Sequence, residues 1–386
     1  MAETNLSSAL EKQVWSKEYL AEYVRESGFL NYMGRKKTSV ICTMYELASE
    51  AGKTINIPLI TKLNAAGVRG SGVLDGKEEQ LGNYNCAISV DWLRNAVKVP
   101  KSTSYKTEID LLNAGRDMLK LWSADTLRAD LIKYMAGPTV TTSSLPAVDI
   151  VDSDGNTVVT AATEGNYDTW ATANSDRILY GAAISNYSAG DHSASLANID
   201  NSADKLTVAM ISLAKRIAKS ASPAIRPFRL EDGREYFVMF VGARAFRDLK
   251  LDTAMINANR DARAREGNGM DNNPLFQDGD LLIEGVIVRQ IEEITSLITT
   301  ASTRFSLGGA GNITVEPNVL CGQQAMGVVW GQEPMPITDM TADYKFRPGV
   351  AIEELRGIAK LHFGTGSASA SKQQGMVTVY SAGVGD

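Results

Sequence analysis

The sequence predicts an α+β protein, because helices and short strands are mixed without the regular strand–helix–strand rhythm of a parallel sheet. Two observations support this fold class. The segment from Lys53 to Met135 has the pattern of two strands around a glycine- and charge-rich tip, followed by one long amphipathic helix. Further along, buried-strand runs such as Tyr236 to Val241 and Leu281 to Val288 are separated by a helix and by polar loops.

The composition is that of an ordinary globular protein, with 386 residues, 44% hydrophobic and 22% charged. No apolar run approaches the roughly 20 residues that span a bilayer, so we expect no membrane contact. The first residues lack the pattern of a secretory signal, which favours a protein made in a cytoplasm. The net charge of -6 argues against a sequence-reading nucleic-acid binder, but not against a container for nucleic acid. Three separated cysteines are expected to be buried and reduced: Cys42, Cys86 and Cys321.

The first part of the chain, residues 1–52, is predicted to be an arm that begins with an amphipathic helix. A basic patch of Arg35, Lys36 and Lys37 follows Gly34. Three adjacent positive charges suit an acidic surface on a neighbour or a phosphate, and they equally suit a solvated turn. The sequence leaves both interpretations open.

A projecting hairpin is predicted for residues 53–100. Residues 53–63 alternate apolar and other side chains as a strand does, and Pro58 confines that strand to an edge or a bulge. The returning strand covers about Asn85 to Val99. The charged residues of the loop are candidates for assembly contacts: Lys62, Arg69, Lys77, Glu78 and Glu79. A hairpin with so little apolar surface at its tip cannot stabilise itself in water, so we expect it to lie on a neighbouring copy of the chain.

A long rod-like helix is predicted from about Glu108 to Met135, with Gly137-Pro138 ending it. Its apolar face begins with three further assembly candidates, Leu112, Leu119 and Trp122. Ser104 or Thr107 is expected to cap its start. The interior Gly115 should cost roughly 1 kcal/mol unless something packs closely against it.

Residues 138–200 are richer in Ser, Thr, Ala, Asn and Gly, and we interpret them as an inserted, surface-lying module. Within them, valines flank a predicted hairpin turn at Asp154-Gly155. The acidic side chains around this turn also suggest a calcium loop, but the spacing of the EF-hand pattern is not met.

Motifs for catalysis are weak throughout the chain. Only two histidines are present, His192 and His362, which excludes a histidine-rich zinc site, and we do not expect either of them to be catalytic. The hairpin tip does not match a phosphate-binding loop, because Gly76-Lys77 is followed by Glu78. We therefore expect no enzyme activity, no cofactor and no resident metal.

The order of arm, hairpin, long helix and mixed α/β part resembles the major capsid proteins of tailed phages, which have the Hong Kong 97-like fold. The second half is similar to the coat-protein family of N-four-like phages. The resemblance is carried by four segments in order: SPAIRPFRLEDGREYFVMFVGARAFRDLK, then NPLFQDGDLLIEGVIVRQ, then VLCGQQAMGVVWGQ, then IAKLHFG.

The resemblance implies the following division of the chain: an N-terminal arm (1–52), an extended loop (53–100), a peripheral domain with a spine helix at 108–135 and an insertion at 138–200 (101–230), an axial domain (231–350), and a return to the peripheral domain (351–386). It also implies pentamers and hexamers of this chain, a portal, and scaffolding or decoration proteins. DNA would be touched weakly and without sequence preference.

The residues together with the resemblance leave three classes of function open. The leading one is a subunit of an icosahedral shell that encloses the double-stranded DNA of a tailed phage, assembled in the host bacterial cytoplasm and located in the virion. The second is a tail or other virion protein, which would form tubes or rings. The third is a soluble enzyme with an unrecognised site.

Overall fold

The computed structural model describes residues 28–48, 52–60, 63, 65–79, 83–107, 109–140, 143–229, 233–258, 281–299, 313–364 and 371–383. The predicted helix at the start of the arm and the predicted contact residue Lys62 lie outside these ranges. Within them the helices include α1 (Lys101–Ser104), α2 (Leu111–Ala136), α3 (Glu164–Ala173), α4 (His192–Ala197), α5 (Val208–Ser220) and α6 (Ala243–Leu251).

The strands are β1 (Met33–Gly34), β2 (Ile41–Met44), β3 (Thr54–Ile60), β4 (Asn83–Ser89), β5 (Asp91–Lys98), β6 (Thr139–Val140), β7 (Ser143–Ser144), β8 (Ile150–Val151), β9 (Thr157–Val159), β10 (Ile178–Tyr180), β11 (Phe228–Arg229), β12 (Glu235–Val241), β13 (Leu281–Ile283), β14 (Val286–Gln290), β15 (Val315–Cys321), β16 (Met326–Asp339), β17 (Gly349–Lys360), β18 (His362–Gly364), β19 (Ser371–Gln373) and β20 (Met376–Ala382). Helices and strands are mixed, as predicted for an α+β chain. No helix in the described part of the chain is both long and apolar enough to cross a membrane.

The chain divides into two compact units. The described residues of the larger unit fall within Ser27–Asp91, Leu127–Gly331 and Arg356–Asp386, and those of the smaller unit within Trp92–Thr126 and Gln332–Leu355. The domain boundaries implied by the resemblance remain a prediction.

The core of the larger unit is a seven-stranded mixed sheet in the order β10-β20-β15-β12-β14-β13, with β11 paired to β12. Strand β12 runs parallel to β14 and antiparallel to β15. Its residues alternate between the two faces, so that Val238 and Phe240 enter one apolar cluster while Phe237 and Met239 enter another. Both faces of the sheet are therefore buried.

Helices cover these two faces. Helices α5 and α6 contribute Met210, Ala214 and Phe246 to one cluster, and the end of α2 with α3 contributes Leu131 and Trp170 to the other. Tyr167 and Trp170 of α3 are fully buried, and β10 pairs in parallel with β20 as a buried edge strand of the sheet. The interpretation of residues 138–200 as surface-lying is therefore wrong for α3 and β10, because their aromatic and aliphatic side chains complete the core.

Helix α2 agrees closely with the predicted rod, but it starts later and has a different cap. Asp110 Oδ1 accepts hydrogen bonds from the backbone N–H groups of Leu112 and Asn113, at 3.2 Å each. Asp110 caps the helix, and the prediction of Ser104 or Thr107 was wrong, because Ser104 is the last residue of α1 and the Thr107 hydroxyl accepts from the N–H of Ile109, before α2 begins. A β-carbon at Gly115 would lie 3.3 Å from Val350 Cγ2. The glycine therefore allows α2 to pack closely against Val350, which offsets the low helix propensity of glycine.

The hairpin is present as β3 and β4, which pair antiparallel from Thr54↔Ser89 to Ile60↔Asn83. The predicted returning strand is two strands, since Val90 separates β4 from β5 and its N–H bonds the carbonyl of Lys53. The predicted turn at Asp154-Gly155 joins β8 to β9, and Asp152 Oδ1 accepts from the N–H groups of Asp154 and Asn156. These bonds are ordinary turn chemistry.

Candidate assembly surfaces

The hairpin changes from buried to exposed along its length. At its base, the side chains of Cys86 and Ile88 are buried in the larger unit. Towards its tip the apolar side chains of Ile60, Val73 and Leu74 are more than half exposed. Covering such an exposed apolar side chain with another surface is favourable by about 25 cal/mol per Å² of apolar area removed from water.

The charged candidates of the tip are all exposed where the structure describes them. The side chains of Arg69, Lys77 and Glu78 are exposed to solvent. Glu79 Oε2 accepts from the N–H of Ala65 at 2.6 Å, which joins the two limbs of the tip. The tip thus has some internal order but no strand pairing of its own among the described residues.

The basic patch of the arm lies in the connection between β1 and β2 of the larger unit. Arg35, Lys36 and Lys37 are exposed. The guanidinium of Arg35 lies over the ring of Tyr45, 4.0 Å from its centroid. Such a contact holds one of the three charges in place and leaves the other two in water, so both interpretations of the patch stay open.

The three apolar candidates on α2 face the smaller unit's own core. Leu119 is buried against Val350 and Ile352 of β17, and Leu112 and Trp122 pack against this cluster half-buried. Beside them the hydroxyl of Ser123 donates to Glu354 Oε2 at 2.8 Å in a buried position. Their first role is therefore to attach α2 to the sheet of the smaller unit.

Sequence reasoning missed a second exposed apolar surface in the smaller unit. Several of its large apolar side chains are 36% exposed or more: Trp92, Val97, Tyr105, Met335, Ile337, Met340, Tyr344 and Phe346. Scattered single residues of this kind are normal, but a concentration in one small unit is typical of an interaction surface.

The loop between β16 and β17 presents part of this surface in an unusual backbone conformation. Asp343, Tyr344 and Lys345 have φ values of 51°, 51° and 69°, in the left-handed region that residues other than glycine seldom adopt. Arg347 Nε pairs with Asp343 Oδ2 at 3.2 Å and helps to hold the turn. Asp343 is the one residue of the three whose type tolerates this region, and without a glycine or asparagine the turn had only a weak signal in the sequence.

The two histidines are core residues. His192 begins α4, with its Nδ1 2.8 Å from the Tyr180 hydroxyl and its ring stacked on Tyr167. His362 Nδ1 lies 2.6 Å from Ser371 Oγ, and burial lowers the pKa of His362 to about 4. Both positions suit packing and internal hydrogen bonding better than proton transfer to a substrate.

An acidic group formed by Glu164, Asp168 and Asp191 brings carboxylate oxygens within 4.8 Å of one another. Asp191 Oδ1 accepts from the N–H of Ala194 at 2.8 Å, and Asp168 Oδ1 accepts from the N–H of His192 at 2.7 Å. These two carboxylates cap the start of α4, and that role explains their position. The three cysteine thiols are free and buried, as predicted.

Comparison with known proteins assigns the chain to a family. The model of the family described as phage capsid protein matches residues 3–384. A curated major capsid protein of Pseudomonas phage KPP25 is 26% identical over 361 residues, which cover 92% of this chain and 90% of that protein.

Solved structures give the same result. The chain is similar to that of the cyanophage Pam1 capsid asymmetric unit, with 36% identity, a TM-score of 0.85 and complete coverage of both chains. The capsid chain of Ralstonia phage GP4 shares the fold at 20% identity, with a TM-score of 0.71 and coverage of 100% of this chain and 99% of that chain. The predicted α+β capsid fold is confirmed, and this chain belongs to the phage capsid protein family as a structural shell protein.

Proposed function

We propose that this chain is the major capsid protein of a tailed phage and that many copies close into an icosahedral shell around double-stranded DNA. The observation that carries the proposal is the hairpin of β3 and β4, which extends to a tip whose apolar side chains are exposed. The end-to-end family match and the name of the curated relative support it. Nothing in the proposal requires a catalytic residue or a cofactor.

Assembly follows from the surfaces that one copy leaves in water. Covering the hairpin tip and the apolar surface of the smaller unit removes apolar area from water, which favours association. Obligate interfaces of this kind bury about 2,000 Å² or more in total. The hairpin tip carries charges of both signs, which would fix its position on a neighbouring copy through complementary charges there. These charged residues are Arg69, Lys77, Glu78 and Glu79.

The finer organisation is part of the same proposal. The arm (1–52), extended loop (53–100), peripheral domain (101–230), axial domain (231–350) and C-terminal return (351–386) would build pentamers and hexamers. A portal and scaffolding or decoration proteins would complete the particle, which assembles in the host bacterial cytoplasm. Packaged DNA would be held by the wall and touched only weakly.

Electron microscopy of the purified full-length chain under assembling conditions tests the proposal. We expect closed particles tens of nanometres wide. Deleting Ala65 to Leu81 should leave a folded subunit, because the buried base of the hairpin at Cys86 and Ile88 is kept, but closed particles should no longer form.

A matched control is the deletion of 151–158, which removes another exposed hairpin tip: the turn between β8 and β9 together with the exposed strand residues Val151, Thr157 and Val158. This variant should still close into particles. Tubes from the wild-type chain would instead favour a tail protein, and a stable small species would favour a soluble enzyme. Normal particles from the variant lacking the hairpin tip would refute the role given to the hairpin.

A further inference from the structure

The hairpin leaves one edge of β3 without a partner strand. Strand β3 pairs with β4 along one edge, and no strand pairs with its other edge in the part of the chain that the structure describes. The strand has the sequence TINIPLI, which contains three isoleucines and no charged residue. An open edge on an uncharged strand of this kind is a template for pairing with another chain, unless something interrupts it.

The register of the hairpin shows which backbone groups point to the open edge. The N–H of Val90 donates to the carbonyl of Lys53 at 2.9 Å, and this pair continues the register of the β3–β4 ladder. Hydrogen-bonded pairs alternate with non-hydrogen-bonded pairs in an antiparallel ladder, so every second residue from Lys53 bonds to β4. The backbone groups of the residues between them point away from β4: Thr54, Asn56, Pro58 and Ile60.

A proline occupies one of these outward positions. Pro58 has no N–H to donate, and a carbon of its ring takes the place of the hydrogen that would meet a partner strand. Paired strands lie about 4.7–4.9 Å apart, so the ring occupies space that an added strand would need. The side chain of Pro58 is exposed, as is that of Asn56 on the same face of the strand. The restriction therefore acts on chains that approach from outside the subunit.

Strand β16 carries prolines in a similar setting. It pairs with β17 on one side and with β2 on the other, but the described pairing with β2 extends only as far as Val329↔Met44. Pro334 and Pro336 lie beyond that point, and both are exposed. Residues two apart in a strand point their backbone groups to the same edge, so the two prolines restrict one edge of β16 together.

We propose that Pro58 closes the free edge of β3 to backbone pairing with a second copy of the chain. The inference rests on the proposed function, because a shell holds many copies side by side. An open edge would let the hairpins of neighbouring copies add strand to strand, and contacts of that kind continue into open polymers when their geometry does not close. With the edge closed, copies contact each other through side chains, and the geometry of those contacts sets the closure of the shell.

The test replaces Pro58 by valine in the full-length chain. Pro58→Val adds an N–H that points into water and a β-branched side chain that suits a strand, so the subunit should still fold. Electron microscopy under assembling conditions should show open polymers in place of most closed particles. The backbone amides of Asn56 and Ile60 are present in both proteins, and their hydrogen exchange should be about tenfold slower in these polymers than in wild-type particles.

Two control variants separate the effect of the new N–H from that of the new side chain. Thr54→Val places the same apolar side chain at another exposed, outward position of β3, where an N–H is already present, so it should assemble like the wild type. Pro58→Val/Asn56→Pro returns a proline to the same edge and should restore closed particles. Open polymers from either control, or only normal particles from Pro58→Val, would overturn the inference. Equally slow amide exchange in wild-type particles and in the polymers would overturn it too.

Sedimentation of dilute, unassembled chain distinguishes this inference from the proposed function. Pro58→Val should associate at concentrations where the wild type remains a small species, because pairing at the edge needs only two copies. If the wild type forms no closed particles, the shell function is refuted, whereas association of Pro58→Val would still support the closed edge. If the wild type closes into particles and Pro58→Val behaves like it in both assays, only the inference about the edge is refuted.

Discussion

Lys360 is predicted to destabilise the larger unit, and its replacement by methionine should stabilise the fold. The side chain is fully buried at the end of β17, and its Nζ has no hydrogen-bond partner among the described residues. The Nζ atom lies 5.4 Å from the centroid of the Trp170 ring. Burial lowers the pKa of Lys360 from 10.5 to about 7, and burial raises the pKa of the Cys321 thiol to about 12, so no thiolate balances the charge.

The magnitude follows from linkage between proton binding and folding. Above pH 10.5 the amine is neutral in both the folded and the unfolded chain, and its ionisation costs nothing. Between pH 10.5 and about 7 only the unfolded chain takes up the proton, so the free energy of unfolding falls by about 1.4 kcal/mol for each unit that the pH falls. Below pH 7 the full cost, roughly 5 kcal/mol, is present.

Lys360→Met keeps the apolar stem beside Trp170 and removes the charge. Urea unfolding of unassembled chain, followed by tryptophan fluorescence, should show the variant more stable by roughly 4 kcal/mol at pH 7 and by about 2 kcal/mol at pH 9. Lys120→Met, on the exposed side of α2, serves as the control and should change stability by less than about 0.5 kcal/mol at either pH. A Lys360→Met variant that is less stable at pH 7, or a gain that does not shrink towards pH 9, would refute the reasoning.

Two further predictions concern α2. Trp122→Asp should unfold the smaller unit, with a loss of roughly 3–5 kcal/mol or more in its free energy of unfolding, because the change removes an aromatic side chain and places a carboxylate beside Leu119 and Val350. Limited proteolysis should then cleave α2 faster in the variant than in the wild type. Equal resistance of the two proteins would contradict the packing. Asp110→Ala should lower the free energy of unfolding by about 1 kcal/mol by removing the cap of α2, whereas Asp110→Asn keeps an acceptor oxygen and should lower it less. The midpoints of urea unfolding compare the two variants. Equal losses of stability would show that the side-chain oxygen is not the cap.

The helix and hairpin were predictable because their signals are local. The rod of α2 is confirmed to within a few residues, since its apolar stripe repeats at helical spacing and Gly137-Pro138 ends it. The pairing of β3 with β4 is confirmed as well. Pro58 lies in β3, an edge strand of this two-stranded sheet, as expected for a residue that has no backbone N–H to donate. The break at Val90 was not predicted, because β4 pairs with β3 whereas β5 pairs with β17, a strand far along the chain.

The assembly surfaces were only partly predictable. The exposed tip charges followed from composition, but the exposed aromatics Tyr344 and Phe346 depend on a left-handed turn with no glycine to signal it. The residues with the clearest helical pattern, Leu119 and Trp122, turned out to pack inside the smaller unit.

The sequence by itself determined the α+β class, the projecting hairpin, the long helix and the lack of recognisable catalytic motifs, because each of these depends on residues close together in the chain. Only the tertiary structure decided that Tyr167, Trp170 and β10 belong to the core, and that Lys360 is buried without a hydrogen-bond partner among the described residues. Burial and strand pairing between distant segments depend on which surfaces come into contact when the chain folds. The residues within a short stretch of sequence do not specify those long-range contacts.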